Sequence, residues 1–257
     1  MRLLPNTKYL ESPNVSGTLR NPTLLVLHYT ASGDSKDGDA KYFQRPSAKA
    51  SAHLVIERDG SIVQCVPFDK VAWHAGVSSW DGRKNCNSFS IGIEIDNWGL
   101  LEKRGNGKFY SHAGTEVPAD RVFVGKNKLG NGMYWEAFPK VQLDAVYDAI
   151  EQILKAYPSI TEIVGHEDIA PRRKIDPGPA LYGFINYVQG EFFYNRKDEK
   201  TFTRKVNANP HLNVRSSPNG KIIGSVLYND TVEILYTEGV WARIVSPSGW
   251  VHKSYLK

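Results

Sequence analysis

The sequence predicts a mixed α/β domain followed by a small all-β barrel. Three observations carry this expectation. Apolar runs ending in polar residues recur between Thr23 and Trp98, a helical period runs from Pro139 to Tyr157, and after Lys205 the texture changes to short strands at close spacing.

TLLVLHYTA (Thr23–Ala31) is a short apolar run closing on polar residues, as a buried central strand does. AHLVIERDGSIVQCVPF reads as a hairpin, with arms Ala52–Glu57 and Ser61–Phe68 around Asp59-Gly60. SFSIGIEIDNW (Ser88–Trp98) is a further strand, alternating along Ile91, Ile93 and Ile95. Leu100 to Trp135 is rich in Gly, Asn and Lys without a steady period. It is expected to be a structureless surface insertion, either beside a substrate groove or merely solvated. Val146, Ile150, Ile153, Leu154 and Tyr157 then recur at helical spacing, with Pro139 suited to the first turn and Pro158 as the stop. EIVGH (Glu162–His166) reads as a strand end. Strands sharing the chain with helices imply a mixed central sheet flanked by helices.

The expected organisation is a catalytic domain over residues 1–195, a charged linker over 196–205 (RKDEKTFTRK) and a small β domain over 206–257. In the last, LNVRSS, KIIGSVL, TVEILYTEG, WARIVS and GWVHKSYL are separated by turn signals at Pro218-Asn219-Gly220, Asn229-Asp230, Glu238-Gly239 and Pro247-Ser248-Gly249.

Composition sets outer bounds. The 257 residues are 41% hydrophobic and 23% charged, ordinary for a globular protein. No apolar run approaches the roughly 20 residues that span a bilayer, so no membrane insertion is expected. The opening MRLLPNTKYLESPN carries no apolar stretch of the secretory type, so no signal peptide is expected. Cys65 and Cys86 cannot form a disulfide framework, although one bridge remains open. Residues 201–257 hold seven Lys/Arg against three Asp/Glu, a net of +4 within a chain total of +5. Such a tail suits either an anionic partner (nucleic acid, a membrane surface or a wall polymer) or a merely soluble surface.

The chemistry gathers around VGHEDIAPRRKIDPGP (Val164–Pro179). His166 stands at a sheet rim, and Asp176 is held on a loop stiffened by proline and turned by glycine. His28 likewise closes the apolar run LLVLHYT. Two strand-end histidines and a fixed aspartate are ligand types that Zn²⁺ accepts with a fourth position left for water. Spacing alone leaves open that these are satisfied core histidines.

Four ordered stretches carry a resemblance: LVLHYTAS, SAHLVIERDGSIVQCVPFDKVAWHAGVS, CNSFSIGIEI and VGHEDIAPRRKIDPGPAL. Over roughly residues 20–190 the chain resembles the zinc N-acetylmuramoyl-L-alanine amidases, the family shared with T7-type lysozyme and the peptidoglycan recognition proteins. Its likeness is to the AmpD-like branch, because Asp176 and not Cys stands at the third ligand position. The last 50 or so residues resemble a bacterial SH3 domain, a module that commonly binds cell-wall peptides.

The resemblance implies one Zn²⁺ held by His28, His166 and Asp176, with Glu94 as general base and Lys174 stabilising charge on the attacked carbonyl. It implies peptidoglycan or muropeptides as substrate, no nucleic acid, and a monomer cutting between N-acetylmuramic acid and L-alanine. His53 and His74 are expected either behind the ligands or in the substrate groove, Trp73 and Asn87 either along the substrate cleft or in structural packing and turns, and Arg173 on a stem-peptide carboxylate. Where T7-type members carry a catalytic tyrosine this chain has Ala52, which puts the burden on Glu94. The rival class is a wall-binding module without catalysis, against which all three ligand positions are filled. A wall-targeting tail implies a lytic or remodelling enzyme, of phage or bacterial kind, acting on the wall outside the cytoplasm. Its exit is then by phage-type release or a dedicated secretion system.

Overall fold

The computed structural model describes residues 2–33, 35–194, 202–215, 218–244, 247 and 249–257. By contacts the chain divides into two units, Met1–Gln189 and Gly190–Lys257.

The first unit is built on a six-stranded sheet in the order Lys8–Tyr9, Ile62–Gln64, Leu54–Ile56, Ser90–Ile95, Leu24–Tyr29, Glu162–Gly165. Only the hairpin pair Leu54–Ile56 and Ile62–Gln64 runs antiparallel, about a turn that Gly60 closes at φ 83°. The three strands next to it, through Ser90–Ile95 and Leu24–Tyr29 to Glu162–Gly165, are parallel. Leu24 to Leu27 and Ile91 to Ile95 are buried apart from half-buried Glu94, as strands covered on both faces must be.

Helix Lys140–Ala156 covers one face with Val146, Ala149, Ile150, Ile153 and Leu154. Buried Gln142 fixes its angle, because its Nε2 donates to the carbonyls of Ile56 (3.0 Å) and Asp96 (2.8 Å). The opposite face packs Leu24, Val26 and Val164 against Ala75, Cys86, Phe89 and Ile169. Helix Pro179–Gln189, which the sequence did not announce, follows the Asp176 loop. Cys65 and Cys86 are both free and buried.

The insertion differs from expectation. Residues 100–136 form a five-stranded sheet, not a structureless excursion. Its strands are two to four residues long, turning on residues such as Gly107 (φ 79°), Gly114 (φ 81°) and Gly130 (φ 79°). Elements that short leave no period to read. Trp135 anchors the sheet: it is 1% exposed, and its indole N–H donates to the Gly125 carbonyl at 2.9 Å.

Glu136, fully buried, ties this sheet to the hairpin turn. Its Oε2 lies 2.6 Å from Arg58 Nη2 and also accepts the Trp98 N–H at 2.7 Å, while Oε1 lies 2.5 Å from Arg121 Nη2.

The second unit is a six-stranded antiparallel sheet around Val206, Leu212, Val214, Val226, Val232, Ile234, Ala242, Ile244 and Val251. The five expected strands are present. The linker expectation needs correction in its last part, because Phe202–Lys205 pairs with Thr231–Glu238; residues 195–201 of the tail lie outside the described residues.

The Glu136 clamp generates a prediction. Glu136→Ala removes the closer of two carboxylates from the nearly buried Arg58, which keeps Asp96 Oδ2 3.5 Å from its Nε, so the loss falls below the about 3–5 kcal/mol of a fully uncompensated buried charge. Urea unfolding followed by tryptophan fluorescence should show this as a lowered midpoint of the transition of the first unit. An unchanged midpoint would reduce the clamp to a surface ion pair.

Candidate active site

Strand register brings the site together. His28 and Glu94 are direct partners on adjacent parallel strands, so their side chains leave the same face at the same level. On the other side Leu27 pairs with Gly165, and the next residue, His166, opens the short helix His166–Ile169. All three lie toward the carboxyl ends of parallel strands, where open α/β sheets leave a crevice.

Asp176 is delivered by its loop. The Asp176 carbonyl accepts the Glu167 N–H at 2.8 Å, and the Asp176–Pro177 bond is cis. Gly178 follows at φ 72°, where a Cβ would come within 2.7 Å of the Trp135 ring. The buried tryptophan of the insertion thus lies directly against the ligand-bearing loop.

The result is a convergence of polar atoms in a dry place. His28 Nδ1 and His166 Nδ1 are 2.9 Å apart, and each is 3.0 Å from the same oxygen, Asp176 Oδ2. All three residues are buried, and they form a group able to hold a metal ion. The donor chemistry fits one. His166 Nε2 faces the Ala75 carbonyl at 3.0 Å and Arg173 Nη2 at 3.3 Å; the two hydrogens of that Nη2 go to the Ala75 and Val77 carbonyls, and a carbonyl only accepts, so the imidazole nitrogen carries the proton. In neutral imidazole Nδ1 is then a lone pair, set against a carboxylate oxygen that is also an acceptor. Two such acceptors at contact call for a cation, and two imidazoles with one carboxylate suit Zn²⁺.

Burial pushes the His28 imidazole down to about 4, with His166 adding to the effect, and so keeps it in the neutral form a metal requires.

Beside the cluster lies a cleft of about 320 Å³ whose lining includes Tyr29, Phe43, Trp73, Glu94, Lys174 and Asp176. Glu94 Oε2 is buried without a hydrogen-bond partner. Burial raises its carboxyl well above the ordinary value; Asp176 and Asp39 push the same way and Lys174 opposes them.

The expected substrate residues divide. Trp73 and His74 line the cleft. Arg173 lines it too, but its guanidinium is engaged with backbone: Nη2 donates to the carbonyls of Ala75 (2.7 Å) and Val77 (2.8 Å), and Nε donates to Val77 (3.1 Å). Asn87 is a turn clamp, its Oδ1 accepting the backbone N–H groups of His74 (3.1 Å) and Ala75 (2.7 Å). His53 is fully buried and satisfied, with Nδ1 accepting from Gly92 N–H and Nε2 facing the Lys70 carbonyl, each at 3.0 Å. Of the two places open to each, His53 and Asn87 thus take the internal one and not the groove. Tyr29 and Phe43 went unnoticed in the sequence; Tyr29 directly follows His28 at the strand end, whereas Phe43 gave no signal.

Comparison with known proteins agrees with this geometry. Residues 18–179 match the N-acetylmuramoyl-L-alanine amidase family, and residues 210–257 match the bacterial SH3 domain. The 1,6-anhydro-N-acetylmuramyl-L-alanine amidase AmpD of Citrobacter freundii is 38% identical over 178 residues, covering 63% of this chain and 76% of that one. The N-acetylmuramoyl-L-alanine amidase AmiD of Escherichia coli is 32% identical over 164 residues, 61% of this chain and 49% of that one. Among solved structures, an AmpD selenomethionine derivative superposes with a TM-score of 0.52 at 30% identity, covering 72% of this chain and 96% of that one.

A pH dependence follows from the buried histidines. His28 and His53 are both lowered from 6.5 to about 4 by burial, so they are neutral in the folded chain and protonate first in the unfolded one. The stability that their neutral burial contributes is full above pH 6.5 and is lost as pH falls toward 4. Thermal melts of metal-free protein should show the midpoint dropping across that window. A flat profile would mean that both rings charge in place.

Proposed function

The chain belongs to the N-acetylmuramoyl-L-alanine amidase family, and we propose that it hydrolyses the amide between the lactyl group of N-acetylmuramic acid and the L-alanine of the stem peptide. The observation that carries this reading is the convergence of His28, His166 and Asp176 beside an unpartnered, buried Glu94 oxygen. In this reading these three residues hold one Zn²⁺. When bound, the ion supplies Lewis acidity to the attacking water and the scissile carbonyl.

The chain's own groups account for the proton. Glu94 is half-buried with a raised carboxyl, so once ionised it is a stronger base than a solvated glutamate. It takes a proton as the water oxygen bonds to the carbonyl carbon, then delivers it to the alanine nitrogen as the C–N bond breaks. Lys174, on the lining of the same cleft, sets an ammonium toward the oxygen on which negative charge grows. Trp73 and Phe43 wall the cleft and exclude water from the reacting groups.

The second unit supports action on the intact wall. It carries a groove of about 590 Å³ lined by Trp241, His252 and Tyr255 together with Arg215 and asparagines such as Asn209 and Asn213. That lining offers ring faces, amides and one cation to a polar polymer bearing anionic groups.

Two predictions test this reading. Glu94→Gln should keep the fold and the zinc and lose about 10²–10⁴ in turnover. Asp176→Ala should lose zinc, while Lys174→Ala keeps it and lowers kcat by the roughly 10²–10³ seen when a charge-stabilising donor is removed. Zinc content and kcat on a defined muropeptide report these effects, and near-normal turnover in Glu94→Gln would assign the base elsewhere.

Truncation after residue 196 should leave kcat/KM on a soluble muropeptide near normal but slow release from insoluble sacculi, through loss of local concentration at the surface. High salt should slow the full-length enzyme on sacculi, bringing it toward the truncated form, because the tail's net +4 acts by screened attraction. Equal slowing of the truncated form on both substrates would give the tail a role in the catalytic unit instead of targeting.

A further inference from the structure

The strand carrying Glu94 presents Ser90, Gly92 and Glu94 on one face, because alternate residues of a strand share a side. Glu94 reaches the cleft. The other two positions shape a slot for His74: a Cβ on Gly92 would overlap the His74 ring, so glycine leaves room for the imidazole. Asn87 fixes its height by holding the His74 backbone N–H at 3.1 Å.

In that slot His74 links two buried partners. His28 Nε2 lies 3.0 Å from His74 Nδ1, and His74 Nε2 lies 3.1 Å from Ser90 Oγ. Ser90 Oγ in turn donates to the Cys86 carbonyl at 2.6 Å. His28, His74 and Ser90 are 1%, 7% and 0% exposed, so no bulk water substitutes for a missing partner.

The protons along this row have one consistent arrangement. The Cys86 carbonyl only accepts, so the single Ser90 hydroxyl proton is committed to it. Ser90 Oγ then offers a lone pair, and His74 Nε2 must carry the hydrogen. Neutral His74 has an unprotonated Nδ1, which accepts from His28 Nε2–H. Neutral His28 is left with a bare Nδ1, the atom that faces His166 and Asp176. The reverse order would press two oxygens to 2.6 Å with no proton between them.

We propose that His74 and Ser90 are positioning residues: a hydrogen-bond chain rooted on the Cys86 carbonyl fixes His28 as the Nε2–H tautomer and presents its Nδ1 lone pair to the ligand cluster. The proposal rests on the metal reading above. Groups that orient a ligating histidine in this way typically govern metal affinity by about 10–100-fold. Without the chain, His28 Nδ1 can take the proton and give it to Asp176 Oδ2 at 3.0 Å, closing the site with an internal hydrogen bond.

The test uses full-length protein. In metal-free wild type labelled with ¹⁵N-histidine, long-range ¹H–¹⁵N correlation should show His28 protonated on Nε2 and bare on Nδ1; the opposite tautomer overturns the proposal. Chelator competition should then show zinc affinity falling about 10–100-fold in His74→Leu and falling in Ser90→Ala. His74→Asn, whose amide oxygen can sit near the place of Nδ1, should keep most of it. Wild-type affinity in a folded His74→Leu also overturns the proposal. Should His74→Leu fail to fold, the wild-type tautomer and Ser90→Ala still decide. Wild type that takes up no zinc while showing the expected tautomer would overturn the zinc reading and support the chain.

Discussion

Everything in the first unit answers to one constraint: three acceptor atoms are forced together where water cannot relieve them. His28 Nδ1, His166 Nδ1 and Asp176 Oδ2 approach to 2.9–3.0 Å in a buried place. Desolvated polar atoms are costly unless each is held by a partner and together they meet a cation. The surroundings supply the holding. The Ala75 carbonyl takes the far side of His166, the Glu167 amide fixes the Asp176 backbone, and parallel register sets His28 level with Glu94. A slip of one residue in that register would turn His28 into the opposite face and dissolve the site.

The same constraint explains why an insertion without catalytic groups matters. Trp135 fills the space over Gly178, two residues beyond Asp176, and Lys128 pairs with Asp168, whose carboxylate accepts the Gly165 N–H at 2.9 Å. The small sheet of residues 100–136 therefore braces the loop that carries the third ligand. Bracing through packed side chains tolerates little shift, because interiors are close-packed and resist small displacements.

How much of this was legible in the sequence depended on element length. The Leu24–Tyr29 and Ser90–Ile95 strands and the Lys140–Ala156 helix are long enough to show a period, and His28 and His166 announced themselves as polar residues closing apolar runs. The insertion did not, because two- to four-residue strands such as Phe109–Tyr110 and Glu116–Val117 carry no alternation to detect. Phe202–Lys205 was hidden by its charge, which suits an exposed strand as well as a linker. The place of His53 and Asn87 in the motif left the cleft open to them, whereas they stabilise the backbone behind it. A sequence shows that a polar residue is present; only the fold shows whether its partner is substrate or main chain.

Two carboxylates make that last distinction concrete. Glu136 has each oxygen against an arginine and accepts a backbone N–H besides, so its charge is fixed and its lone pairs are committed. Glu94 keeps an oxygen sealed from water with no partner, and burial drives its carboxyl upward. Left as it stands, such a group is a cost to stability, of the order of 1–3 kcal/mol for an unsatisfied buried polar atom. Beside the cleft, the missing partner can arrive from outside. A base clamped like Glu136 could not take a proton, and a strut left free like Glu94 would weaken the fold. The chain keeps the two roles apart by placing cations around one carboxylate and a cleft beside the other.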